Sequence, residues 1–89
     1  MRFHVDAHLV PGSDIAPWLQ DEQRRIKELH AAGFIELLFR RADGTGAWLI
    51  VTAEDEGAAA RQLDTLPFVA VGIMTMALSP VESVDIDAL

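Results

Sequence analysis

The run Phe34-Ile35-Glu36-Leu37-Leu38-Phe39-Arg40-Arg41 leads through Ala42-Asp43-Gly44-Thr45-Gly46 into Ala47-Trp48-Leu49-Ile50-Val51-Thr52-Ala53. Two apolar runs flank an Asp-Gly step, and Asp-Gly tolerates the positive φ that a tight hairpin requires. The centre of the chain therefore reads as a β-hairpin, with strands over 34–41 and 47–53. Gly44 and Gly46 precede a strand, not a helix, so they read as turn residues and not as a phosphate loop.

On the N-terminal side, Ile15, Trp18, Leu19, Ile26 and Leu29 recur at helical spacing. This predicts a helix over 15–32, capped by Ser13 or Asp14, with Pro17 in its first turn and Gly33 ending it. Before it, Arg2 to Val10 alternates, with Phe3, Val5, Ala7 and Leu9 apolar and His4, Asp6 and His8 polar, which is a strand signal. On the C-terminal side, Glu54-Asp55-Glu56 places negative charge at the start of a second helix. Ala59, Leu63 and Leu66 point that helix inward, and Pro67 is read as its stop. A fourth strand is predicted from Val69 to Leu78. Ser79 to Leu89 is acidic and aperiodic, either loose or docked on a neighbouring subunit.

The order is β-α-β-β-α-β. Right-handed crossovers make this a ferredoxin-like α+β fold, with both helices on one face of a four-stranded antiparallel sheet. Residues 1–81 are expected to form one such domain, and 82–89 its acidic tail. The uncovered sheet face calls for a second copy, so a homodimer or larger homo-oligomer is expected.

Composition narrows the function. The 89 residues are 51 % hydrophobic and 24 % charged, an ordinary globular balance. A chain this short buries only ~60–65 % of its unfolded surface, so oligomerisation would help it. Fourteen acids against seven bases give a formal charge of −7, which disfavours nucleic-acid binding. With no cysteine, neither a disulfide nor a thiolate metal site can form. The apolar stretch Thr65–Val81 is too short and broken to span a membrane, and the N-terminus has no signal-peptide pattern. A cytoplasmic protein is expected.

Candidate functional residues are those that contradict their local pattern. Glu22 interrupts the inward stripe Ile15, Leu19, Ile26, Leu29 of the first helix. A carboxylate among Leu and Ile is desolvated, which raises its pKa and suits it to proton transfer. The alternative is a surface pair with Arg25. His4, Asp6 and His8 share a strand face at steps of about 7 Å. Side chains in such a row do not converge on one ion, so no metal is assigned; a polar sheet face or a hydrogen-bonding wall of a pocket are the open readings. Placing that face under the helices lets it share a cavity with Glu22, and leaves Phe3, Val5, Val69, Val71 and Ile73 for a dry subunit interface. Arg40 either grips a substrate carboxylate or pairs with Glu36 or Asp6. Met74, with Met76, is either core filler or the wall of an adaptable pocket, and Trp48 reads the same way.

Met1-Arg2-Phe3-His4-Val5, Asp21-Glu22-Gln23 and Leu63-Asp64-Thr65-Leu66-Pro67-Phe68 resemble muconolactone Δ-isomerase. The resemblance runs over about Met1 to Val81, and that family belongs to the dimeric α+β barrels. It implies a cofactor-independent isomerase that moves a proton on a small unsaturated lactone bearing a carboxylate. Glu22 matches the family's helix-one acid, His4 its opening histidine, and Arg40 an arginine ending the second strand. The segment Pro11–Pro17 is shorter than in the isomerases, and the region after Phe68 lacks an aromatic-rich, proline-bearing stretch. The expected site is thus Glu22 and His4 as catalytic residues, with His8, Arg40, Trp48 and Met74 binding the substrate, and with no metal or organic cofactor. A non-catalytic small-molecule-binding or assembly protein and a cofactor-free monooxygenase or cyclase are the alternatives on the same scaffold.

Overall fold

The computed structural model describes all residues 1–89. Its elements run β1 (Arg2–Leu9), α1 (Leu19–Ala31), β2 (Ile35–Arg40), β3 (Gly46–Thr52), α2 (Glu56–Leu63), α3 (Pro67–Ala70) and β4 (Met74–Val81), followed by a 3-10 turn at Ile86–Ala88. All pairings are antiparallel and the strand order is β2-β3-β1-β4. This is the ferredoxin-like α+β arrangement that the hairpin and its two flanking helices imply.

Two boundaries depart from the sequence reading. The first helix starts at Leu19, not Ile15. Pro17 disfavours helical geometry at the residue before it, Ala16, so a helix cannot run through that point. Asp14 caps a local turn instead, its carboxylate accepting from the Ala16 N–H at 3.1 Å, and the Ile15 carbonyl accepts from the Trp18 N–H at 3.0 Å. The larger correction concerns Val69 to Ile73. The second helix ends at Leu63, and Pro67 opens a further short helix where a strand was predicted. Gly72, at φ +79°, closes α3: its N–H reaches the Val69 carbonyl and the Ile73 N–H reaches the Phe68 carbonyl, both at 3.0 Å. Proline at the first position and a left-handed glycine just past the last are helix punctuation, and they override the β-branched valines between them. β4 therefore starts at Met74 and runs on through Pro80 to Val81, into the segment read as tail.

α1 closes in the same way at Gly33, with the Phe34 N–H donating to the Leu29 carbonyl at 3.0 Å. Asp55 caps α2, accepting from the Ala58 N–H at 2.7 Å. Phe3, Val5, Ala7, Ile35, Leu49 and Val51 line the sheet face under the helices and are buried with Leu29, Phe34, Ala59, Leu63 and Leu66. Burying side chains of the size of Phe3, Val5 and Leu63 stabilises the fold by about 1.5–3 kcal/mol each.

This settles which way β1 faces, and it reverses the expectation. The apolar set Phe3, Val5, Ala7 packs beneath the helices, not in a subunit interface. His4, Asp6 and His8 project from the opposite, open face, opposite Ile50, Trp48 and Gly46 of β3.

Candidate functional site

α1 lies over the sheet end where β1 and β3 carry small residues. Ala7, Gly46 and Ala47 floor this region, and a cavity of about 570 Å³ opens above them. Leu9, Leu38, Leu49, Met74 and Met76 wall it from the strands, Ile15, Leu19 and Ile26 from α1 and the turn before it, and Leu66 and Phe68 from the α3 segment. Twelve of its seventeen lining residues are hydrophobic, and the only polar side chains are Glu22, Gln23 and Arg40. An apolar pocket with a few convergent polar groups is the usual form of a small-molecule site.

Glu22 is only 4 % exposed and is the one buried charged residue of the chain. Burial pushes its carboxyl above the usual carboxylate range, and the Phe68 N–H, donating to Oε1 at 2.9 Å, partly offsets this. That N–H belongs to the first turn of α3, where a helix has no carbonyl for it. Pro67 and Gly72, which force the short helix, are thus what aims a donor at Glu22. Arg25, the surface partner considered for Glu22, is occupied elsewhere: its Nε donates to Thr65 Oγ1 at 3.0 Å and Nη1 lies 3.5 Å from Glu28.

Arg40 reaches the same cavity from β2. A β-bulge between Ile35 and Leu37 shifts the phase of that strand, so Glu36 stays on the open face while Arg40, opposite Ala47, turns to the helix side. Glu36 pairs with Arg2 at 3.0 Å and accepts from the Thr52 hydroxyl; together these hold its carboxyl below the usual range. Asp6 pairs with Arg41. Both partners proposed for Arg40 are therefore taken, and Arg40 makes no ion pair of its own. The expected residues Glu22, Arg40 and Met74 come together in one cavity.

His4, His8 and Trp48 do not join them. They sit on the far side of the sheet, where a different cluster forms around Arg41. Its guanidinium bonds Asp6, lies 3.1 Å from His8 Nε2 and stacks 4.1 Å from the centre of the Trp48 ring. His8 Nε2 is also 3.2 Å from Asp6. Burial acts to raise the Asp6 pKa, but hydrogen bonds and charge from Arg41 and His8 outweigh it and hold the carboxyl below its usual value. No three His, Asp or Glu side chains are placed to hold a metal ion. Arg41, at the centre of this cluster, and Gln23, which lines the cavity, are not among the residues the sequence singles out. Gln23 follows Glu22 one step off the stripe, and neighbouring arginines on a strand are indistinguishable until its phase is known.

The fold and this cavity define a small ferredoxin-like α+β protein with a pocket between sheet and helices. Two solved structures share the fold. One is muconolactone isomerase, at 20 % identity over 91 % of this chain and 88 % of that one, with a TM-score of 0.74. The other is the 5-chloro-2-hydroxyhydroquinone dehydrochlorinase TftG of Burkholderia phenoliruptrix AC1100, in complex with 2,5-dihydroxybenzoquinone, at 18 % identity over 92 % and 94 % of the two chains, with a TM-score of 0.73. No protein-family model matches the sequence, and no curated protein does. No helix is long and apolar enough to cross a membrane.

Proposed function

We propose that the chain is a cofactor-independent isomerase that moves a proton along a small lactone or enolisable carbonyl compound bearing a carboxylate. The observation that carries this is Glu22: a lone carboxyl, buried, held on one oxygen by the Phe68 N–H, and lining a mostly apolar cavity. A base in such a place takes a proton from carbon without competition from bulk water, and its raised pKa makes the carboxylate a stronger base toward that carbon acid. Arg40 anchors the substrate carboxylate from the β2 wall. Met74 and Met76 shape themselves to the ring. His4, His8 and Trp48 fall outside this reading because the sheet separates them from Glu22.

The likeness in fold to muconolactone isomerase supports the reaction class, and the likeness to TftG supports a small oxygenated ring as substrate. A second copy packs on the open sheet face, where Leu37, Phe39 and Trp48 are 52 %, 56 % and 37 % exposed. The test is incubation with muconolactone, with the product followed by proton NMR. Catalysed isomerisation by the wild type, lost by ~10²–10⁴-fold or more in Glu22→Gln, is expected. A wild type no faster than buffer overturns the proposal.

A further inference from the structure

Taking a proton from carbon next to a carbonyl needs a second group. When Glu22 accepts the proton, the C–H electron pair moves into the ring and its charge arrives on the carbonyl oxygen as an enolate. The proton then returns from Glu22 to a different carbon, and the electron pair moves back to form the new C–H bond. Atoms and charge balance without any oxidant or metal. The enolate oxygen, however, sits in an apolar cavity, where an unmet negative charge is costly and a single aimed donor is worth far more than in water.

His4, expected as a catalytic residue, and His8, expected to bind the substrate, are on the other side of the sheet. Among the residues lining the cavity, three have polar side chains. Glu22 is the base. Arg40 binds the carboxylate from β2. The Gly44 N–H at the rim is already donated to the Arg41 carbonyl at 2.9 Å. This leaves Gln23. It adjoins Glu22 on α1, between the cavity-lining Leu19 and Ile26, and its amide makes no hydrogen bond within the protein.

Resting on the isomerase reading above, we infer that Gln23 is a further catalytic residue, its side-chain amide donating to the carbonyl oxygen as that oxygen takes up enolate charge. Base and donor then come from adjacent residues of α1, Glu22 from the buried wall of the cavity and Gln23 from its exposed rim, with Arg40 reaching the cavity from β2. This limits substrates to those whose carbonyl lies close to the carbon that loses the proton and whose carboxylate extends away from both.

The test measures kcat and KM for muconolactone isomerisation in the wild type, Gln23→Met, Gln20→Met and Glu22→Gln, with a melting curve for each. Gln23 is exposed, so methionine, of similar length and without a donor, leaves the fold intact. Gln20 lies on α1 outside the cavity and controls for the change in helix surface. The expected result is kcat reduced by ~10²-fold in Gln23→Met at similar KM and melting temperature, with Gln20→Met unchanged. An active wild type, an inactive Glu22→Gln and a Gln23→Met with wild-type kcat overturn the role of Gln23 and leave the isomerase reading standing. A rise in KM alone overturns it as well, since that marks ground-state binding only. An inactive wild type removes the isomerase reading, and the role of Gln23 with it.

Discussion

Replacing Glu22 by glutamine is expected to stabilise the protein at neutral pH while disabling the site. Glutamine keeps the shape, and its amide oxygen still accepts from the Phe68 N–H that holds Oε1 at 2.9 Å. What is lost is the ionisation of a residue only 4 % exposed. Because burial raises the folded-state pKa, the unfolded chain releases this proton first as pH rises. The contribution of Glu22 is therefore whole below its unfolded value of ~4.3, and it is lost as pH climbs through the higher folded value. Above that value the wild type carries a constant penalty that the glutamine variant escapes. A buried, incompletely bonded polar group costs about 1–3 kcal/mol, and the new amide gives part of that back, so a net gain of about 1 kcal/mol is expected. For a chain of this size that is ~4–8 °C in melting temperature. Thermal melts by circular dichroism at pH 7.5 and pH 4 read this directly: Glu22→Gln melts higher at pH 7.5, and the gap closes near pH 4. The carboxyls of Asp6, Glu36 and Asp43, all held below their usual values, weaken both proteins alike in acid and cancel in the comparison. A glutamine variant that melts several degrees lower at pH 7.5, or a gap that ignores pH, would show that the carboxylate is a stabilising structural group.

Three further outcomes are expected. Arg40→Lys keeps the charge and loses the planar fork, so a lactone carrying a carboxylate should bind ~1–3 kcal/mol more weakly while a neutral analogue binds as before, both read by calorimetry. Because Arg40 makes no ion pair, its melting temperature should hold; a fall would mark a structural role. Gly46→Ala should destabilise by about 3 kcal/mol or more in denaturant titration, since a Cβ there would lie 1.9 Å from the Ala7 carbonyl oxygen and force β1 and β3 apart. Sedimentation at micromolar concentration should find a dimer or larger assembly, dissociated by Phe39→Asp on the open face; a well-folded wild-type monomer would refute the second copy.

Much of this architecture is legible in the sequence because its signals are local. The Asp43-Gly44 turn marks the central hairpin, Gly33 the end of α1, and the break of the α1 stripe at Glu22 marks the one carboxyl that folding buries. The misreadings have physical causes. Val69 and Val71 suggest a strand by type, yet Pro67 and Gly72 bracket a single helical turn, and position outweighs propensity. That turn supplies the N–H on Glu22, so the same misreading hid how the carboxyl is held. Alternation along β1 shows which residues share a face but not which face the helices cover. Phe3 and Val5 fill the space beneath the helices, which sends His4 and His8 outward. The bulge at Ile35/Leu37 is invisible in composition, and it decides that Arg41, not Arg40, pairs with Asp6.

Glu22 is proposed to carry a proton to and from carbon inside this cavity. This is tested most directly by dissolving protein and muconolactone in deuterated buffer and following loss of the ring and side-chain proton signals by NMR across pH. The expected result is enzyme-dependent exchange in the wild type that rises with pH through a value above the ordinary glutamate range, and that falls by ~10²-fold or more in Glu22→Gln. Exchange at the same rate in both proteins would contradict it.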